Sequence, residues 1–177
     1  MKMIAATRLG RAQRAMDSAV AFGNASEELF KQSEVEAPKE GGRDLFVVVS
    51  SDRGLCGGIH SSVSKKTRAA VAKLTKAGGE EPSVVVLGDK AKAQLSRALP
   101  KNLVLSFNQI GKGVPTYEDA LAITSTILKA DIPFDKINIV YNKYVSSLSF
   151  ESVISTVYSE KSLLEAPKFG AYEMDES

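Results

Sequence analysis

The sequence predicts an α/β protein, a mostly parallel sheet flanked by helices and preceded by one long projecting helix. Three observations predict it. Residues 1–35 carry strong helix formers and no proline. From Leu45 onward, short β-branched runs alternate with helical stretches. Between the first such run and its helix stands Ser50-Ser51-Asp52-Arg53-Gly54-Leu55-Cys56-Gly57-Gly58, a glycine-rich βα corner. In open α/β sheets such corners are where ligands and partners gather.

The opening helix would be about 50 Å long at 1.5 Å per residue, so one end is expected to project. Its seam is Ala5, Leu9, Ala12, Met16 and Ala19, continued by Gly23, Ser26 and Phe30. Steps of four and three give the 3.5-residue period of a coiled coil. Small residues alternate with large ones, so a partner helix can approach closely. A broader apolar stripe would be expected of a helix lying on its own sheet. Lys2, Arg8, Arg11 and Arg14 make the first sixteen residues basic, with no acid among them. Such an opening also fits a mitochondrial transit peptide. The same helical pattern running past Asp17, Glu27 and Glu28 argues against that reading.

Residues 36–43, with Pro38, Gly41 and Gly42, read as a linker. An α/β domain is expected over 44–158. Leu45–Val49 is its first strand and 61–77 a helix ended by Gly78-Gly79. Ser83–Leu87 is the second strand, 89–99 a helix stopped at Pro100, and 103–107 the third strand. Thr116, with Asp119 three residues on, is an N-cap signal for a helix reaching about Ala130. Residues 137–141 and 150–158 are two further strands with no helix between them, expected as an antiparallel pair at an edge. The first three strands are continuously apolar, as when helices cover both sheet faces. Residues 159–177 read as an acidic extended tail.

Composition limits the functions. The 177 residues carry 25% charged residues and a net charge of +2, which does not call for a nucleic-acid partner overall. One cysteine, Cys56, excludes an intrachain disulfide. No apolar run approaches the ~20 residues of a membrane span. One cysteine and one histidine cannot fill a zinc site, and no acidic cluster has calcium-loop spacing, so no metal or other cofactor is expected.

The corner is neither Gly-x-Gly-x-x-Gly nor a Walker loop, since no Gly-Lys-Ser/Thr follows. Its glycines are expected to serve a tight turn and close packing of helix on sheet. Cys56 and His60, four residues apart, would make a weak nucleophile–base dyad without a third group. The default is a small buried thiol and a surface histidine. Asp52 has no partner acid, so it is expected to bond the turn's backbone or pair with Arg53. Lys65, Lys66, Arg68, Lys73 and Lys76 make the next helix basic, and it lacks aromatics for base stacking.

Ser51-Asp52-Arg53-Gly54-Leu55-Cys56-Gly57-Gly58 resembles the signature of the gamma subunit of rotary (F-type) ATP synthases. Met1-Lys2-Met3-Ile4-Ala5-Ala6-Thr7-Arg8-Leu9 resembles that family's shaft helix. Asn142-Lys143-Tyr144-Val145-Ser146-Ser147-Leu148-Ser149-Phe150 resembles its late-domain segment, most like the mitochondrial branch. The resemblance implies a central rotor stalk without an active site of its own. It implies a Rossmann-like domain between two long helices that wind into an antiparallel coiled coil. Expected partners are the alpha and beta subunits of the catalytic hexamer, the small delta and epsilon stalk subunits and the membrane c-ring. The expected place is the matrix side of the mitochondrial inner membrane. By resemblance Lys2, Arg8 and Arg11 meet acidic loops of the beta subunits. His60 stands where the family more often has Asn. The resemblance also implies that this chain is a fragment, lacking the start of the first helix and the C-terminal helix. A small nucleotide-binding enzyme using the 51–58 corner, and a nucleic-acid binder using the basic first helix, are the alternatives from other classes.

Overall fold

The computed structural model describes residues 2–32, 42–146 and 148–158. The expected tail 159–177 and most of the expected linker lie outside them. The chain divides into two units, one containing the first helix and one containing the α/β domain.

In the first unit, helix α1 spans Lys2–Gln32. Thr7 and Ser18 donate their hydroxyls to the carbonyls of Met3 and Arg14, four residues back. Their donors are thereby satisfied within the helix.

In the second unit, strands β1 (Asp44–Val49), β2 (Ser83–Leu87), β3 (Leu103–Phe107), β4 (Lys136–Ser146) and β5 (Ser149–Tyr158) form one sheet. Helices α2 (Ile59–Lys76), α3 (Asp89–Ala98) and α4 (Tyr117–Lys129) alternate with the first four strands. The strand order is β3-β2-β1-β4-β5. The first four strands run parallel, and β5 pairs antiparallel with β4 along the edge, as the missing intervening helix predicts.

The topology explains the layers. Steps from β1 to β2 to β3 go one way across the sheet, and right-handed crossovers put α2 and α3 on one face. The step from β3 back across to β4 reverses direction, so α4 lands on the other face. On the first face Phe46, Val48, Val84, Val86 and Val140 pack against Val63 and Val71 of α2 and Ala91 and Leu95 of α3. On the second, Leu45, Val85 and Leu87 pack with Ile127 of α4. Val84, Val85 and Val86 are each 0% exposed, so β2 is covered on both faces.

Coverage is unequal elsewhere. β3 is an edge strand, and its Val104 is exposed. β3 still reaches both layers as expected, Leu103 packing into the first cluster and Leu105 and Phe107 into the second, and Val104 is the extra residue where the register shifts opposite Val84 and Val85. α2 also starts earlier than expected, at Ile59, since Gly58 suffices as its N-cap residue. Both strands of the final hairpin run several residues beyond their neighbours.

α4 begins as its sequence predicts. The Thr116 hydroxyl accepts from the Asp119 amide at 3.3 Å, and the Asp119 carboxylate accepts from the Thr116 amide at 2.9 Å. A backbone hydrogen bond at this helix start, then one from the Thr116 side chain, holds the Glu118 carboxyl below its ordinary range. Between α4 and the sheet lies an apolar cleft of about 710 Å³, lined by Val47, Val49, Phe107, Ile123 and Ile139 among others.

At the opposite end of the sheet, Asp44 is buried and paired with Lys136 at 2.9 Å, and it also accepts from the Asn138 amide. Arg43 and Asp135 bind each other through backbone and side chain. These contacts fix how the chain enters β1 and β4.

Candidate functional site

The order β2-β1-β4 places the reversal of chain direction between β1 and β4. The carboxyl end of β1 is therefore the position where α/β sheets form a crevice. The 51–58 turn leaves β1 at this point. Here the turn is used as a clasp among three loops.

Asp52 makes the central contacts. One carboxylate oxygen accepts from the Asp89 amide at 2.8 Å, which caps the first turn of α3. The other accepts from the Gln109 amide in the loop after β3. The Asp52 amide donates to the Ile110 carbonyl at 3.0 Å. Arg53 reaches the same loop, donating Nε to the Gly111 carbonyl at 3.0 Å and Nη2 to the Lys112 carbonyl at 2.9 Å. The expected pairing of Asp52 with Arg53 or its own turn is thus corrected. Each instead binds backbone groups of other loops, which are distant in sequence and could not be read from the turn alone.

Backbone contact completes the clasp. Ser50 N–H donates to the Leu87 carbonyl and Gly88 N–H to the Phe107 carbonyl. Gly88 has φ +99, and a Cβ there would lie 2.5 Å from the Ser51 backbone nitrogen. Only glycine permits this approach. Gly111, at φ +78, closes on Ser51 from the other loop.

His60 is the second correction. It is buried, with Nδ1 2.8 Å from Ser50 Oγ and Nε2 2.8 Å from the Arg53 carbonyl. A carbonyl only accepts, so Nε2 carries a hydrogen, and in the neutral ring Nδ1 then accepts from the Ser50 hydroxyl. Cys56 is half-buried and donates to the Gly54 carbonyl at 3.0 Å. The expected surface histidine is instead buried, the thiol is only half-buried, and the dyad fails because both ring nitrogens are engaged elsewhere. Nearby, Asn142 of β4 donates to the Ile59 carbonyl at 2.9 Å and accepts from Ser152 of β5, so polar groups of the protein itself bridge β4 to α2.

The tip of the turn faces outward. Gly54, Gly57 and Gly58 are exposed, and Leu55 is fully exposed with φ 55, a left-handed conformation unusual for leucine. Among the seam residues of α1, Ala5, Leu9, Ala12 and Ala19 are exposed and Met16 is half-buried. Arg8 and Arg11 are exposed, while the side chain of Lys2 lies outside the described residues, as do those of Ser26 and Phe30. Among the described residues no group of three or more metal-ligating side chains occurs, and no helix is long and apolar enough to cross a membrane.

Sequence reasoning missed the receiving side of the clasp: Gly88, the Asp89 and Gln109 amides, and Gly111. Glycine after β2 and after β3 was the available signal.

These features define a class, a Rossmann-like domain whose glycine-rich corner binds its own loops, joined to a long helix with an exposed alanine-rich seam. The family model described as ATP synthase matches residues 1–177, and the chain belongs to that family, on its gamma-subunit branch. It is 44% identical over 99% of its length to the mitochondrial ATP synthase subunit gamma of Yarrowia lipolytica, covering 60% of that protein. To the mitochondrial F(1) complex subunit gamma of Rattus norvegicus it is 35% identical over 98% of its length, covering 63%. The chain therefore spans about 60% of the length of these curated relatives. Its fold is similar to a chain in the central stalk and c-ring structure of Tetrahymena thermophila mitochondrial ATP synthase. That match has TM-score 0.75 and 22% identity, over 96% of this chain and 75% of the other.

Proposed function

We propose that this chain works as part of the central-stalk rotor of a proton-transporting ATP synthase. It couples rotation of a membrane ring to conformational change at catalytic sites on beta subunits, and it has no active site of its own. Its partners are the alpha and beta subunits of the hexamer, the small delta and epsilon stalk subunits and the c-ring. It acts on the matrix side of the mitochondrial inner membrane. The observation that carries this reading is the near full-length similarity to mitochondrial gamma subunits. The absence of an active site is supported by the corner chemistry. Asp52, Arg53 and His60, the groups best suited to act on a ligand, are engaged with the protein's own backbone and Ser50.

α1 is proposed as one strand of an antiparallel two-helix shaft, with Ala5, Leu9, Ala12, Met16 and Ala19 facing the second helix. Lys2, Arg8 and Arg11 then meet acidic loops of the beta subunits. Exposed ion pairs contribute roughly 0–1 kcal/mol each, weak enough to form and release as the shaft turns.

The test is isolation of the tagged protein from its native cells in mild detergent. Alpha and beta subunits are expected to co-purify with the tagged chain, and depletion is expected to uncouple ATP turnover from the proton gradient. Migration apart from the hexamer, or coupling indifferent to depletion, would overturn the proposal.

A further inference from the structure

α2 and α3 lie together on one sheet face, packed through Val63, Val71, Ala91 and Leu95. Their outer surface is strongly basic. α2 exposes Lys65, Lys66, Arg68, Lys73 and Lys76 and contains no acid. α3 adds exposed Lys90, Lys92 and Arg97, and its one acid, Asp89, sits in the first turn at the helix N-terminus. The whole chain carries only +2, so the charge is concentrated here. Among the described residues none of these cations makes an ion pair.

An ordinary solvated helix face mixes signs, because Glu–Lys pairs three or four residues apart stabilise it and like-charge pairs do the reverse. α2 instead places Lys65 beside Arg68 and Lys73 beside Lys76, each three residues apart. Between them, along the same stripe, stand exposed Ala69 and Ala72. The surface is basic and self-repelling until an anion covers it.

We propose that this α2–α3 face docks on anionic phospholipid headgroups. Three observations choose this occupant. Protein interfaces are depleted in lysine and enriched in aromatics, methionine and arginine, whereas this face has six lysines to two arginines and no aromatic. Lysine is a mobile point charge on a flexible stem, suited to fluid phosphates where no fixed bidentate geometry is offered. Nucleic acid would favour arginine forks and stacking rings. No large exposed apolar side chain lies on α2 or α3, so binding is electrostatic and peripheral, without insertion. The inference stands on this face alone and goes beyond the rotor reading.

Vesicle co-sedimentation tests it. The full chain would be used on a background of Arg8→Gln, Arg11→Gln and Arg14→Gln, so that α1 contributes little. Vesicles of phosphatidylcholine alone are compared with vesicles about one-third phosphatidylglycerol. Binding is expected only with the anionic lipid, falling steeply as salt rises. Lys66→Glu, Lys73→Glu and Lys76→Glu together are expected to weaken it about tenfold or more. The same charge change at Lys112, Lys129 and Lys143, which lie off this face, is expected to leave most of it. A milder set, glutamine at the three α2 lysines, guards against misfolding and is expected to weaken binding less. No sedimentation with anionic vesicles overturns the proposal. So does equal loss in the α2 and control sets, or tighter retention on double-stranded DNA than on the vesicles.

Discussion

At Gly88 the backbone of one loop touches that of another so closely that no side chain fits. Gly88→Ala combines a forbidden φ with a contact against Ser51 backbone, which cannot rotate away. It is expected to destabilise the domain by about 3 kcal/mol or more, read from urea unfolding. Leu55 is the counter-case. It holds φ 55 with its side chain wholly in solvent, so nothing visible repays the strain. Leu55→Gly is expected to raise stability by about 0.5–1 kcal/mol. A loss instead would show that the leucine side chain makes a contact in solution. His60 shows what a residue's neighbours in sequence cannot tell. Its four-residue spacing from Cys56 suggested a dyad, yet the ring turns inward to Ser50, because the end of β1 passes beneath the start of α2.

Among the elements, α4 is the helix whose start was legible and whose packing was not. The Thr116–Asp119 box is local chemistry, readable three residues apart. The cleft beneath α4 depends on which strands it crosses, and strand order is not written in any one segment. Because α4 buries only Ile127 fully against the sheet, its amides are expected to exchange with deuterium before those of α2 and α3. Exchange of α4 as slow as that of α2 would mean the cleft closes in solution. Acid should also act at this helix. The Glu118 carboxyl is held below its ordinary range in the folded state. Its contribution is therefore present at neutral pH and is lost as pH falls through the lowered folded-state value. An NMR titration should place its midpoint below that of a free glutamate, and Glu118→Gln should remove this part of the acid sensitivity. A midpoint at the free value would reject the assignment. α1 was legible as a helix for a different reason, since a run of helix formers without proline is a matter of local composition.

Across the whole domain, Asp52 joins the loops after β1, β2 and β3. Asp52→Ala is expected to cost about 2–3 kcal/mol for two charge-assisted bonds and to speed amide exchange at Asp89 and Gln109, both remote in sequence. Local exchange changes confined to 51–58 would mean the three loops are not coupled. The alternation of strand and helix, with right-handed crossovers, was enough to expect a parallel sheet. It was not enough to expect a sheet whose two faces differ so much, one covered by two basic helices and the other by a single loosely seated one.

The clasp has a mechanical consequence. Parallel strands slide past one another most easily when their ends are free. Here three successive strand ends are stitched crosswise by hydrogen bonds, so sliding one strand past the next requires breaking them. A body serving as the proposed rotor would need that stiffness.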